Sequence, residues 1–227
     1  MNHTTHRFAL YSYLIIELIL GILIHTASPA YIYSYVSIVV AALFCLTLYQ
    51  PTPDWTLTQI AFLFTLGADF FLVLLGRHQT VAMCLFSVTQ LAYAARLTLA
   101  ENKKTRRIQL ITRAFTALLA VTITAAVLGK NTDALAVISL FYFANLLINA
   151  IFATAEYKRY PLFATGLWLF VLCDIFVGFG MLGSYLPLGN GLFIRFLTAP
   201  PINMAWVFYL PSQVLLSLSV LSHKQPH

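Results

Sequence analysis

Eight long apolar runs, at about 8–25, 31–49, 57–75, 79–98, 109–128, 134–152, 161–182 and 202–221, leave almost no chain over for anything else. Each run is near the ~20 residues that a helix needs to cross a bilayer. Only 9% of the 227 residues are charged, against about 25% in a soluble domain. The runs are continuous rather than alternating apolar and polar, which favours helices over a barrel. The expected fold is therefore all-α, a single polytopic transmembrane bundle of about eight helices over residues 1–227. Arg7 followed by an apolar run imitates a signal peptide. Glu17 breaks that run, however, and HTASPAY offers no clean small-x-small cleavage site, so this segment reads as the first helix.

Basic residues orient the bundle. With the N-terminus inside, the cytoplasmic segments hold ten of them: Arg7, Arg96, Lys103, Lys104, Arg106, Arg107, Arg113, Lys158, Arg159 and Lys224. The outer loops hold three, Arg77, Lys130 and Arg195. This asymmetry places both termini in the cytoplasm and accounts for the net charge of +6. The run ENKKTRR at 101–107 reads as a topology determinant that touches anionic lipid headgroups, with no need to invoke nucleic acid. Cys45, Cys84 and Cys173 fall inside the apolar runs and read as small buried residues.

Against this background two residues stand out, Asp69 in LFTLGADFFLVLL and Asp174 in GLWLFVLCDIFVGF. A carboxylate at membrane depth costs about 2.5 kcal/mol or more, which makes such residues rare and usually functional. Both lie on ascending helices, about 18 Å and about 20 Å from the cytoplasmic end. At matched depth they can face one another. Two neighbouring carboxyls in low dielectric share a proton, so one site holds an acid and a base together. Glu17 is a candidate third member of this polar layer. Gln90, Asn145, Asn149 and Gln213 lie on descending helices, nearer the cytoplasmic side, and serve either the site or interhelical hydrogen bonding. Superposing Asp69 on Asp174 sets Phe71 against Phe176, and an amide follows one helix later in each case. Two parallel four-helix repeats would explain this, although the Asp-to-Gln spacing is 21 residues in one half and 39 in the other. The segment 183–201 is the longest gap between runs and is expected to cap the bundle or lie along the interface.

Other chemistries lack their residues. No HExxH is present, and all six histidines lie at termini or helix ends. There is no GxSxG elbow and no glycine loop for phosphate.

Four short stretches carry a resemblance. FTLGADFFL (64–72) and LFVLCDIFV (169–177) are similar to G-D-x-x-L and L-F-x-x-S-D-x-x-L helices. FSVTQLAY (86–93) and YLPSQVL (209–215) are similar to F-x-x-A-H-x-x-Y and Y-x-x-A-Q-x-L helices. Together they resemble the YhhN family of lysoplasmalogenases, eight-helix membrane proteins. Ala68, Gln90 and Cys173 depart from the family's usual Gly, His and Ser, whereas both aspartates and Gln213 keep to the pattern. The resemblance implies an enzyme that cleaves the vinyl ether of a lysoplasmalogen to a fatty aldehyde and a glycerophospho-base. Asp69 and Asp174 would then be catalytic, with Gln90, Tyr93, Gln213, Asn145, Asn149 and Glu17 in supporting positions. The reaction requires no metal or organic cofactor, and its substrate is a membrane lysolipid. A bacterial cytoplasmic membrane is the expected location. A proton- or ion-coupled carrier of small amphiphiles is the main rival, since carriers also bury carboxylates and Gly178, Gly180, Gly183 and Pro211 can interrupt helices. An inactive lipid-binding protein is the third reading.

Overall fold

The computed structural model describes residues 3–48, 52–99, 101, 103–189 and 191–221. All of these fall in helices or the segments joining them. The long helices are α1 (His3–Thr26), α2 (Ala30–Thr47), α3 (Pro53–Asp69), α4 (Gln79–Thr98), α5 (Lys103–Leu128), α6 (Ala134–Ala155) and α7 (Pro161–Leu182). A short α8 (Leu192–Thr198) and a final α9 (Met204–Leu218) complete the chain. The seven long helices have the length and hydropathy to cross a membrane. With α9 as a shorter eighth span, the protein is a polytopic transmembrane helical bundle.

Local chemistry sets several of the ends. Thr52 caps α3 by accepting from Trp55 N at 3.2 Å, with Pro53 at the first helical position. Asp133 caps α6 by accepting from Ala136 N at 2.7 Å. Between α3 and α4 the chain reverses through Gly76 (φ +60°) and His78 (φ 59°). These are residue types that tolerate the left-handed region.

Three expectations need correction. The fifth helix begins at Lys103 rather than near 109, so most of the basic run forms its first turns instead of a loop; Asn102 and Lys224 lie outside the described residues. Arg96 and Arg113 are not cytoplasmic-loop residues. Both are buried on helices, Arg96 paired with Asp54 and Ser219, and Arg113 donating from Nη2 to Asn149 Oδ1 at 2.7 Å. Cys84 is exposed, while Cys45 and Cys173 are buried as expected. The segment 183–201 carries α8, which packs beside α7 with Phe196 edge-on to Phe176 at 5.8 Å.

The most extensive helix pairings are α7 with α9 and α3 with α4, so each aspartate-bearing helix lies against the amide-bearing helix that follows it. At Gly166 the α7–α9 approach is closest. A Cβ there would meet Leu216 Cγ at 3.0 Å and the Ser212 carbonyl at 3.2 Å. Gly166→Ala is therefore expected to destabilise the bundle by about 1–3 kcal/mol, the usual cost of overpacking. The change would be read as a lower unfolding temperature in detergent. Gly180→Ala, where a Cβ meets nothing within 4 Å, is the control and should leave that temperature in place.

Candidate active site

Asp69 is the last residue of α3. Directly after it the helix widens into a π-helical turn, Phe70–Leu74, in which Leu75 N reaches back to Phe70 O at 3.0 Å. Such turns re-aim side chains and recur at functional sites. Asp69 is buried, 1% exposed, and its Oδ2 accepts from the Tyr209 hydroxyl of α9 at 2.6 Å. Asp174 projects from the outer half of α7. Its Oδ2 is buried and has no hydrogen-bond partner among the described residues. The Tyr142 hydroxyl of α6 interacts with this carboxylate electrostatically but closes no good hydrogen bond to it. The two aspartates are near enough to feel each other's charge.

Both line a single cavity of about 480 Å³. Its walls come from α3 through α7, the π-turn and α9, always from the end of the bundle where α3 stops and α4 starts. Apart from the two carboxyls, the hydroxyls of Tyr142, Tyr185 and Tyr209 and a few residues such as Gln79, Thr124 and Ser139, the lining is aliphatic or aromatic. Phe170 sits one turn below Asp174 and holds the aromatic wall together, 5.2 Å from the Tyr209 ring and 5.9 Å from Phe86. At the rim, Tyr185 donates to Asp133 Oδ2 at 3.0 Å. Partial burial, then the Asp133 carboxylate, push this tyrosine hydroxyl above its ordinary range.

None of the other candidate residues lines the cavity. Glu17 lies outside the cavity wall. It accepts from Ser37 Oγ at 2.6 Å, between α1 and α2. Asn145 donates to Phe141 O of its own helix at 2.9 Å. Asn149 binds the Gln90 carbonyl and Gln90 Oε1, both at 2.9 Å, and accepts from Arg113 at 2.7 Å. Tyr93, edge-on to Phe163 at 5.2 Å, and Gln213 are buried in the other half of the bundle. Conversely, the sequence reasoning did not count Tyr142 or Tyr209 as site residues. A hydroxyl within an apolar run was the available signal, weak because tyrosine is common at membrane boundaries.

No curated protein and no solved structure matches the chain. Residues 29–220 match the sequence model of the YhhN family. That span takes in both aspartates and every helix that borders the cavity, and leaves α1 outside. On the strength of this match, the chain belongs to the YhhN family.

Proposed function

We propose that the protein is a membrane-embedded lysoplasmalogenase. The carrying observation is the placement of two carboxyls, from α3 and α7, in one apolar cavity of about 480 Å³. Ligand sites ordinarily measure about 300–1,000 Å³ and bury most of the ligand's surface. A long alkenyl chain suits these walls, and the vinyl ether at its head would lie beside the carboxyls.

Vinyl ethers hydrolyse by proton transfer to carbon. A carboxylic acid donates its proton to the β-carbon of the C=C bond, and the α-carbon and ether oxygen share the resulting positive charge. Water attacks the α-carbon and returns one proton to a carboxylate. The hemiacetal then breaks its bond to the glyceryl oxygen, which leaves as the alcohol while the aldehyde forms. One water is consumed, and the proton taken from it replaces the one given to carbon, so the pair of carboxyls regains its shared proton. Two carboxyls can divide this work as they do in glycosidases. Asp69, the acceptor of the Tyr209 hydrogen bond, suits the carboxylate that faces the cation and activates water. Asp174, which lines the same cavity and has a buried oxygen without a hydrogen-bond partner among the described residues, suits the proton donor. The half of the bundle beyond the cavity is filled by Phe62, Phe163 and Leu216, each 1% exposed or less. That apolar packing favours an enzyme over a carrier of amphiphiles.

The test is aldehyde release from lysoplasmalogen by the purified protein in detergent, with the saturated alkyl-ether analogue as a non-hydrolysable competitor. Aldehyde formation no faster than in the Asp69→Asn and Asp174→Asn variants would refute the proposal. Tyr209→Phe bears on the division of labour. It keeps the ring contacts to Phe170 and Trp206 but removes a hydrogen bond to a charged group. Such a bond is worth about 1.5–3 kcal/mol. The expected result is a kcat about tenfold to a hundredfold lower at unchanged KM.

A further inference from the structure

A lysolipid that fills the cavity also displaces water from it, yet the reaction consumes water. We infer that the hydrolytic water reaches the aspartates from the opposite end of the bundle, along a hydrated polar column between α3, α4 and α9. This rests on the hydrolase reading above.

The column is visible as three buried polar stripes. On α3, Asp54, Thr58, Thr65 and Asp69 fall at helical spacing, each 8% exposed or less. They cover the ~22 Å between the far end of the helix and the cavity. On α4 the stripe is Thr89, Gln90, Tyr93 and Arg96, all 1% exposed or less. On α9 it is Tyr209, Ser212, Gln213 and Ser219. Two contacts fix the ends. Tyr209 binds Asp69 at one end, and Arg96 binds Asp54 at 2.7 Å and Ser219 Oγ at 2.7 Å at the other. Gln213 follows Tyr209 by one turn on the same face of α9, at a level between these anchors.

Along these stripes five polar atoms have no hydrogen-bond partner among the described residues: Gln90 Nε2, Tyr93 Oη, Ser212 Oγ, and both Nε2 and Oε1 of Gln213. All belong to side chains at least 99% buried. Leaving such groups bare costs about 1–3 kcal/mol each, and buried polar clusters of this kind are where proteins hold internal water. Donors and acceptors are both present, as a file of water requires. The sequence departure at Gln90 fits this assignment. An amide there serves water and Asn149 at the same time, at a point remote from the reacting carbon.

Two measurements on the full chain test the inference. In X-ray hydroxyl-radical footprinting, radicals arise from bound water, so hydrated residues are labelled whether or not they reach bulk solvent. Tyr93 is expected to be oxidised at a rate near that of exposed Tyr157, while the equally buried Phe163 stays unlabelled. Tyr93 labelled no faster than Phe163 would overturn the column. In the aldehyde assay, Gln213→Leu is expected to lower kcat about tenfold at unchanged KM, the effect of one lost hydrogen bond in the path. Gln213→Asn should recover most of that loss. A labelled Tyr93 with unaltered kcat in Gln213→Leu would show that the column holds water but does not feed the site, which also overturns the inference. If Gln213→Leu fails to fold, footprinting of the wild type still decides whether the column is hydrated. No aldehyde from the wild type would sink the hydrolase reading and, with it, the water's role as reactant, however Tyr93 labels.

Discussion

Asp69→Asn and Asp174→Asn are each expected to cut aldehyde release by about 10²–10⁴, the usual contribution of a positioned general acid or base. Asparagine is nearly isosteric with aspartate, so the walls of the cavity should keep their shape. At position 69 the amide oxygen can still accept from Tyr209, which preserves the α3–α9 contact. What disappears is the capacity to carry a proton or a charge. Both variants should therefore extract as folded protein, with KM for lysoplasmalogen close to the wild-type value. Retention of activity within a few-fold of wild type in either variant would remove that carboxyl from the chemistry. The steeper loss is expected for whichever aspartate donates the proton to carbon, since that transfer starts the reaction.

The second large effect concerns stability. Asp54→Asn is expected to destabilise the bundle by about 3–5 kcal/mol, because it strips the counter-charge from a buried guanidinium. Arg96 is fully buried and bidentate to Asp54, with Nε to Oδ1 at 2.7 Å and Nη2 to Oδ2 at 3.0 Å. Its remaining donors go to Ser219, and its plane lies 4.4 Å from the Phe163 ring centroid. Thermal unfolding in detergent should show a marked drop for the single variant. The double variant Asp54→Leu with Arg96→Met removes both charges together and should regain most of the loss, since apolar replacement of a buried pair is often neutral. Equal destabilisation by single and double variants would mean that the residues act through packing and not through their charges.

Arg96 also illustrates what the sequence can and cannot disclose. Hydropathy reports the average cost of moving a segment into lipid, and on that measure the seven long helices and α9 were all legible, with the start of α5 six residues early. Pairing is invisible to it. Arg96 looks like a loop cation until Asp54, 42 residues away, is brought beside it; Arg113 looks the same until Asn149 is. Asp69 and Asp174 were legible because a carboxylate inside an apolar run is conspicuous without any knowledge of its partners. Tyr142 and Tyr209 were not, because a tyrosine in such a run is ordinary and only the fold shows which hydroxyls meet a carboxylate. Local periodicity missed the π-turn after Asp69, since its five residues are all apolar and continue the helical pattern. It also missed α8, which at seven residues is too short to display a period.

The length of α9 has a consequence for the surrounding lipid. Fifteen helical residues rise about 22 Å, whereas the hydrocarbon of a typical bilayer is about 30 Å thick. A span this short draws the headgroup plane inward beside it, at a modest cost per ångström of mismatch. At the cavity end of α9, Ala205 and Trp206 form part of the wall and α8 presents Leu192 and Phe193 outward. On the proposed function, thinning at that end would lower the polar head of a single-chain lipid toward the aspartates while its chain stays in hydrocarbon. Turnover should accordingly respond to the thickness of the host bilayer, falling as longer phospholipid chains lift the headgroups away from the site.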